Sequence, residues 1–369
     1  MTMLNTTRRW SDGILDRYSE AYSMVHGYVS LVICAIGIPL NLLNIVVLTR
    51  KNMQTPINCM LTWLAVFDMA TMVSYVPFAV HFYCEYPANS ISPQKNSWAW
   101  MNFLLVYLNV SATAHTISIW LAVAMAIFRH SYIHSPAQGT ITRIRRLIRA
   151  RIVVGVVVLA SILVMIPNYL SHKLIEYQRG SGEVMYVFER SNIGSGNEEP
   201  IILAQLLLYS ILAKLVPCLL IIIFGTLLLV TLNTSRIQNT GTAANGTPLR
   251  PSSRGRQKSR TTTMLLMVFV LFLITELPQG ILILGCIVKQ HFFEKVYIPL
   301  GDTMDIIALV NSGINFVLYC SMSQEFRNTF ISLFCRMKGG PNGRGSYVSS
   351  HVRNDQLQVT LTHVPTLLD

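Results

Sequence analysis

An all-α fold, a bundle of seven membrane-spanning helices, is what this sequence predicts, and three observations predict it. The chain is 52% hydrophobic and only 12% charged, whereas soluble domains carry about 25% charged residues. Its apolar residues gather into seven stretches, near 26–49, 56–83, 98–128, 152–170, 201–232, 262–288 and 297–320. Each is long enough for the ~20 residues that cross a bilayer core. Lys and Arg cluster on alternate loops between them. One such stretch would fit a buried helix of a soluble protein; seven, separated by polar loops, do not. The sequence offers no metal-ligand cluster, nucleophile triad or phosphate loop, so an enzyme is not expected.

Residues 1–25 are polar and carry no cleavable leader pattern, so the first apolar stretch reads as an uncleaved signal-anchor. Basic residues follow stretch 1 (Arg50, Lys51), stretch 3 (Arg143, Arg145, Arg146, Arg149, Arg151) and stretch 5 (Arg236, Arg250, Arg254, Arg256, Lys258, Arg260), and recur after stretch 7 (Arg327, Arg336, Lys338, Arg344, Arg353). The positive-inside rule makes that side cytoplasmic. The expected protein is therefore a multi-pass plasma-membrane protein with its N-terminus outside and its C-terminus inside. The net charge of +12 is mostly this inner surface, suited to anionic lipid. Its dispersal over several loops argues against nucleic acid. Asn5-Thr6-Thr7 is the glycosylation sequon on the outer side.

The expected organisation is an outer segment 1–25, a helical domain 26–322, an amphipathic helix 323–337 and a disordered tail 338–369. The Thr/Ser/Gly-rich loop 233–260 also reads as disordered, and the outer loop 171–200 as a hairpin. In "SQEFRNTFISLFCRMK", Phe326, Phe330, Leu333 and Phe334 recur at helical spacing beside Arg327, Arg336 and Lys338, as in an interfacial helix. Cys335 beside it is a candidate for acylation.

Polar residues inside the spans are costly and face the bundle. They are Asn41 and Asn44 in stretch 1, Asp68 in stretch 2, and Asn109, His115, Thr116 and Ser118 in stretch 3. Stretch 5 has Lys214, stretch 6 Glu276, and stretch 7 Asp305, Asn311, Ser312 and Asn315. Pro77, Pro167, Pro217 and Pro278 bend their helices and make hinges. Counting from Pro200 and from Lys289 at 1.5 Å per residue, Lys214 and Glu276 both lie about 20 Å below the outer surface. An unpaired buried charge costs several kcal/mol, so a Lys214–Glu276 ion pair is expected. His115, about 25 Å into stretch 3, suits a hydrogen-bonded core histidine better than a ligand contact.

These residues resemble the rhodopsin-like family of G-protein-coupled receptors over roughly residues 26–335. "GIPLN" ending at Asn41 and "NCMLTWLAVFD" ending at Asp68 look like its first- and second-helix signatures. "AIFRH" places Arg129 at the family arginine, and "KLVPC" supplies the fifth-helix Pro217. "FLITELP" matches the spacing of the sixth-helix motif around Pro278, and "NSGINFVLY" that of the seventh, with Asn315 and Tyr319 in place. The departures are consistent with one subgroup. Glu276 stands for the usual tryptophan, Phe128 for the acid before Arg129, Phe316 for the seventh-helix proline and Gly225 for a frequent tyrosine. The fourth helix lacks its tryptophan. Leu104 stands at the third-helix cysteine position, so the family disulfide cannot form and no disulfide is expected. "TELPQG", "KLVPC", "AHTISIWLAVAMAIFRH" and "NFVLYC" look like myosuppressin/FMRFamide-type invertebrate neuropeptide receptors.

The resemblance implies a short amidated peptide ligand of the Arg-Phe-amide type and a heterotrimeric G protein as partners. Glu276, Asp302 and Asp305 are candidates to meet the ligand's arginine, Phe103, Tyr107 and Tyr297 its ring, and Lys214 and His115 complete the candidate ligand set. Asp68, Ser118, Asn311, Ser312 and Asn315 match the family's sodium pocket; no other metal or cofactor is expected. Arg129, Tyr319, Pro217 and Pro278 are the candidate coupling and switch residues. With no acid beside Arg129, basal signalling is expected. A membrane transporter is the main alternative, although no internal repeat appears; a chemoreceptor for a small molecule is the second.

Overall fold

The computed structural model describes residues 13–134, 139–178, 183–190, 207–239, 253–289 and 291–334. Seven described helices are long and apolar enough to cross a membrane: Ile14–Leu48 (α1), Pro56–Glu85 (α2), Trp98–Tyr132 (α3), Thr140–Leu170 (α4), Tyr209–Thr231 (α5), Thr262–Val288 (α6) and Phe293–Met322 (α7). α1 packs on α2 and α7, α2 on α3 and α4, α3 on α4 and α5, and α6 on α5 and α7. The ring is thus closed by α1 against α7. α3 runs through its middle, touching α2, α4, α5 and α6. Its run Ile119, Leu121, Ala122, Val123, Ala124, Met125 and Ala126 is buried on successive residues, the pattern of a helix apolar all round. α4 instead exposes a single stripe of Ile152, Val156, Leu159 and Leu163, as a helix facing lipid does.

Local chemistry sets the helix ends and bends. α2 starts at Thr55, whose hydroxyl accepts from Asn58 N at 3.1 Å, with Pro56 in the first turn where its missing N–H costs nothing. Three wide, π-helical turns interrupt the spans, at Val80–Glu85, Tyr209–Leu215 and Phe293–Tyr297. Each lies within three residues of a proline (Pro77, Pro217, Pro299). A proline leaves a carbonyl unbonded, and a widened turn re-registers the ladder around it. In α5 the wide turn carries Lys214, and its carbonyl at Leu212 accepts from Trp120 Nε1 of α3 at 3.1 Å.

Between α4 and α5 lies an antiparallel hairpin, His172–Gln178 (β1) with Val184–Arg190 (β2), in register His172 to Arg190. Tyr186 N donates to Asn96 O at 2.9 Å, which ties the hairpin beside the start of α3. The expected hairpin is therefore present. At the same end Lys95 is buried and donates to the carbonyls of Pro87 and Ala88 at 2.6 and 3.0 Å. That burial pushes its ammonium down to about 8.

The helices are longer than the apolar stretches. α1 begins at Ile14 rather than near residue 26, so about half of the expected polar segment 1–25 is helical. α4 begins at Thr140, making the basic run Arg143 to Arg151 its first turns. The loop 233–260 is shorter than its composition suggested: the helix of α5 continues to Asn239 and that of α6 starts at Ser253. Polar and basic residues are good helix formers once an adjoining span nucleates the helix, and a hydropathy reading misses such turns.

A short helix, Gln324–Phe334 (α8), follows α7. The chain divides into two units after Arg327. In the first, Phe326 packs edge-on to Tyr319 and Phe316 with ring centres 5.6 and 5.7 Å apart. In the second, Phe330 and Phe334 lie 5.0 Å apart, one turn from each other. Asn5, Cys335 and the tail 338–369 lie outside the described residues.

Candidate functional site

The expected Lys214–Glu276 pair is present, and it is larger than a pair. Lys214 Nζ lies 2.5 Å from Glu276 Oε2, and both residues are fully buried. The other carboxylate oxygen, Oε1, lies 2.7 Å from His115 Nε2 of α3. His115 is thus a third member of the cluster. Its ring reaches Glu276 because α3 runs between α5 and α6, an arrangement that depth counting along single helices does not show. Lys214 also donates to Gln279 Oε1 at 2.8 Å and lies 5.5 Å from the ring of Tyr209. Tyr297 of α7 lies beside the same Gln279. α5 and α6 approach closely here: a Cβ on Gly280 would stand 3.1 Å from Lys214 Cβ. Ser210 Oγ donates to the Gly280 carbonyl at 3.2 Å. Three helices therefore meet on one carboxylate whose two oxygens are both occupied.

Towards the hairpin end, α7 contributes Asp302 and Asp305, one turn apart. Tyr83 donates to Asp302 at 2.7 Å, and Tyr75 to Asp305 at 3.5 Å. Tyr75 also meets the buried His26 Nε2 at 2.7 Å. Among the described residues no cationic side chain lies within ion-pair distance of either carboxylate. Tyr107 stacks on Phe78 with ring centres 4.7 Å apart, and Phe103 lies 6.1 Å from Tyr107. The structure thus brings Asp305, Tyr107 and Phe103 into one aromatic and acidic cluster around Tyr75 and Phe78. Tyr297 sits instead beside the triad, through Gln279. The sequence reading missed Tyr75, Tyr83 and Gln279, since tyrosine and glutamine inside a span carry no charge signal.

Deeper in the bundle, Asp68 accepts from Ser118 Oγ at 3.2 Å and from Asn315 Nδ2 at 3.0 Å, with Ser312 beside it. Asn41 Nδ2 holds α1 to α7 through the Ser312 carbonyl at 2.9 Å. Asn311 departs from the expected grouping: its amide points to Thr275 Oγ1 of α6, 3.4 Å away. Asn41 Oδ1 and both amide atoms of Asn44 are buried without a hydrogen-bond partner among the described residues.

At the opposite end from the hairpin, Arg129 Nε donates to Thr262 Oγ1 of α6 at 2.8 Å, and its Nη2 reaches the same oxygen. With no acid beside it in sequence, Arg129 is held by, among other contacts, a hydroxyl on another helix. Thr262 opens the sixth apolar stretch in "RTTTM", where a threonine carries no charge signal. Tyr319 is buried with its hydroxyl unbonded among the described residues. Pro217 follows the wide turn of α5, and Pro278 lies two residues from Glu276 inside α6.

The family model for serpentine type seven-transmembrane G-protein-coupled chemoreceptors of the Srw group matches residues 28–337. The chain is 30% identical over 356 residues to the G-protein coupled receptor dmsr-1 of Caenorhabditis elegans, covering 86% of this chain and 69% of that one. It is 26% identical to the sex peptide receptor of Drosophila melanogaster, over 85% of this chain and 73% of that one. It is 22% identical to the FMRFamide receptor of Drosophila melanogaster, over 85% and 54%. In fold it is similar to squid rhodopsin, with a TM-score of 0.62, 16% identity and coverage of 86% and 87%.

Proposed function

This chain belongs to the Srw family of serpentine seven-helix G-protein-coupled receptors, a family of signalling receptors rather than enzymes, and on that premise we propose that it is a plasma-membrane receptor for a short amidated peptide. The peptide ends in Arg-Phe-amide, as for the myosuppressin/FMRFamide subgroup, and its binding activates a heterotrimeric G protein. Membership in a receptor family sets the transporter reading aside. The hairpin end faces outward and the Arg129 end the cytosol, in accord with the distribution of Lys and Arg.

The observation that carries this reading is the pair of carboxylates Asp302 and Asp305. Buried or half-buried acids without a cation are costly, and an arriving guanidinium would relieve them with charge-assisted hydrogen bonds. The rings of Tyr107, Phe103 and Phe78 beside them suit a phenylalanine side chain. Glu276 is less open to direct contact, because His115 and Lys214 already occupy its two oxygens. The ligand acts on it by repartitioning those partners, displacing α6 about Pro278. A ligand shifts the resting and active populations only by its difference in affinity for the two, so Glu276 is where that difference is created. Arg129 and Tyr319 then meet the G-protein α subunit.

Asp68, Ser118 and Ser312 present oxygens of the kind that suit a hard cation, Asn315 turns its amide nitrogen to Asp68, and the unpartnered Asn41 Oδ1 borders them through Ser312. These residues fit a sodium ion, and they would hold the resting arrangement when it is bound. Asn311, turned toward Thr275, is not needed for it.

The test is a panel of amidated peptides and their free-acid counterparts on cells expressing the chain, read by G-protein activation. An Arg-Phe-amide peptide should activate, its free acid should be at least about tenfold weaker, and Asp305→Asn should cost about 2–5 kcal/mol of binding, as lost buried charge pairs do. A response to small molecules alone would favour the chemoreceptor reading.

A further inference from the structure

Two polar clusters in this bundle share no residue. One is His115, Lys214 and Glu276; the other surrounds Asp68. Among the described residues, hydrogen bonds bridge the gap between α6 and α7 at this depth through Thr275. Its hydroxyl accepts from Asn311 Nδ2 at 3.4 Å. Asn311 stands beside Ser312 and one turn before Asn315, which donates to Asp68. The same hydroxyl has one proton and three acceptors for it: the carbonyls of Leu271 and Phe272, each at 3.1 Å, and Glu276 Oε1 at 3.2 Å.

We propose that Thr275 is a positioning residue that carries the pairing state of Glu276 into the bend of α6 and into α7. This rests on the receptor reading but not on the identity of the peptide. Oε1 is also the oxygen that faces His115, 2.7 Å away. While His115 holds Oε1, the Thr275 proton is best used on its own helix, and a threonine bonded back to its preceding turn bends that helix. When His115 or Lys214 is drawn off, Oε1 becomes the stronger acceptor and the Thr275 hydroxyl rotates onto it. The carbonyls of Leu271 and Phe272 then lose that bond. Three residues on, Pro278 supplies no N–H to Ile274. The ladder of α6 is already open there, so a small change at Thr275 alters the bend. The rotation also changes how the hydroxyl oxygen meets the Asn311 amide, and so displaces α7 beside Asp68.

A double-mutant cycle tests this without any peptide, on the full chain in nanodiscs with a panel of purified G-protein heterotrimers. The reading is basal nucleotide exchange. Glu276→Gln should change it at least about fivefold in the otherwise native chain. In a Thr275→Val background, which keeps the shape and removes the hydroxyl, the same change should fall below about 1.5-fold. Thr275→Ser should restore it. Should Glu276→Gln fold poorly, His115→Gln perturbs the same oxygen and should behave alike. Non-additivity of this kind is the signature of a shared interaction. Equal effects of Glu276→Gln in the native and valine backgrounds would overturn the proposal, as would failure of serine to restore coupling. So would basal exchange that neither Glu276→Gln nor His115→Gln moves. A native chain that engages no heterotrimer would overturn the receptor reading, and this inference with it.

Discussion

α3 meets α6 at two levels of the bundle, and the two contacts are built from different chemistry. Midway toward the hairpin, His115 meets a carboxylate that also holds Lys214, all deep in the protein. At the far end, Arg129 meets a neutral hydroxyl, Thr262. A buried charge that loses its partner is left uncompensated and costs about 3–5 kcal/mol. A hydrogen bond from a charged group to a neutral one contributes about 1.5–3 kcal/mol. The firm contact therefore lies where the ligand would act, and the weaker one where the G protein would. A receptor that works as proposed would rest on its charged cluster and open at its hydroxyl latch.

Breaking the stronger contact should have the largest effect. Glu276→Gln leaves Lys214 without its anion and should lower the stability of the purified chain by about 3–5 kcal/mol, read as a fall in melting temperature. Lys214→Met with Glu276→Leu, which removes both charges, should recover most of that loss. A double variant as unstable as the single would show that packing, not charge, holds α5 to α6.

Next is the latch. Thr262→Val keeps the volume and removes the acceptor, so it should release about 1.5–3 kcal/mol of restraint. Basal nucleotide exchange should rise at least roughly tenfold, since about 1.4 kcal/mol is a factor of ten. Unchanged basal exchange would mean that Arg129 is held by other contacts and that the two ends do not differ as described.

The smallest expected effect lies between them, at Asp68. Replacing sodium chloride by choline chloride should tighten peptide binding by about threefold, a coupling at the weak end of the usual range. Asp68→Asn should abolish that difference. Sodium sensitivity that survives Asp68→Asn would place the ion elsewhere.

The same contrast shows how far the sequence could be read. The seven spans follow from hydropathy because a bilayer demands long apolar runs whatever the packing. Lys214 and Glu276 were found because charges inside a span are rare and their depths follow from helical rise. His115 was placed less well: as a weak base it looks like a core histidine until the position of α3 between α5 and α6 is known. Thr262 and Thr275 carried no signal, because a threonine at a helix start or beside a proline is unremarkable until its neighbour across the bundle is seen. The early start of α1 and the helical extensions of α5 and α6 were hidden because their residues are polar, and only continuity with a buried helix makes them helical.

The switch proposed at Glu276 is shared by three helices, where a fastener would need only two. The charge swap Lys214→Glu with Glu276→Lys tests it most directly. It preserves an α5–α6 ion pair but sets a lysine against His115. Peptide-stimulated nucleotide exchange should fall at least about tenfold while the protein still folds and reaches the cell surface. A swapped receptor that signals normally would contradict the claim and leave the pair as a fastening.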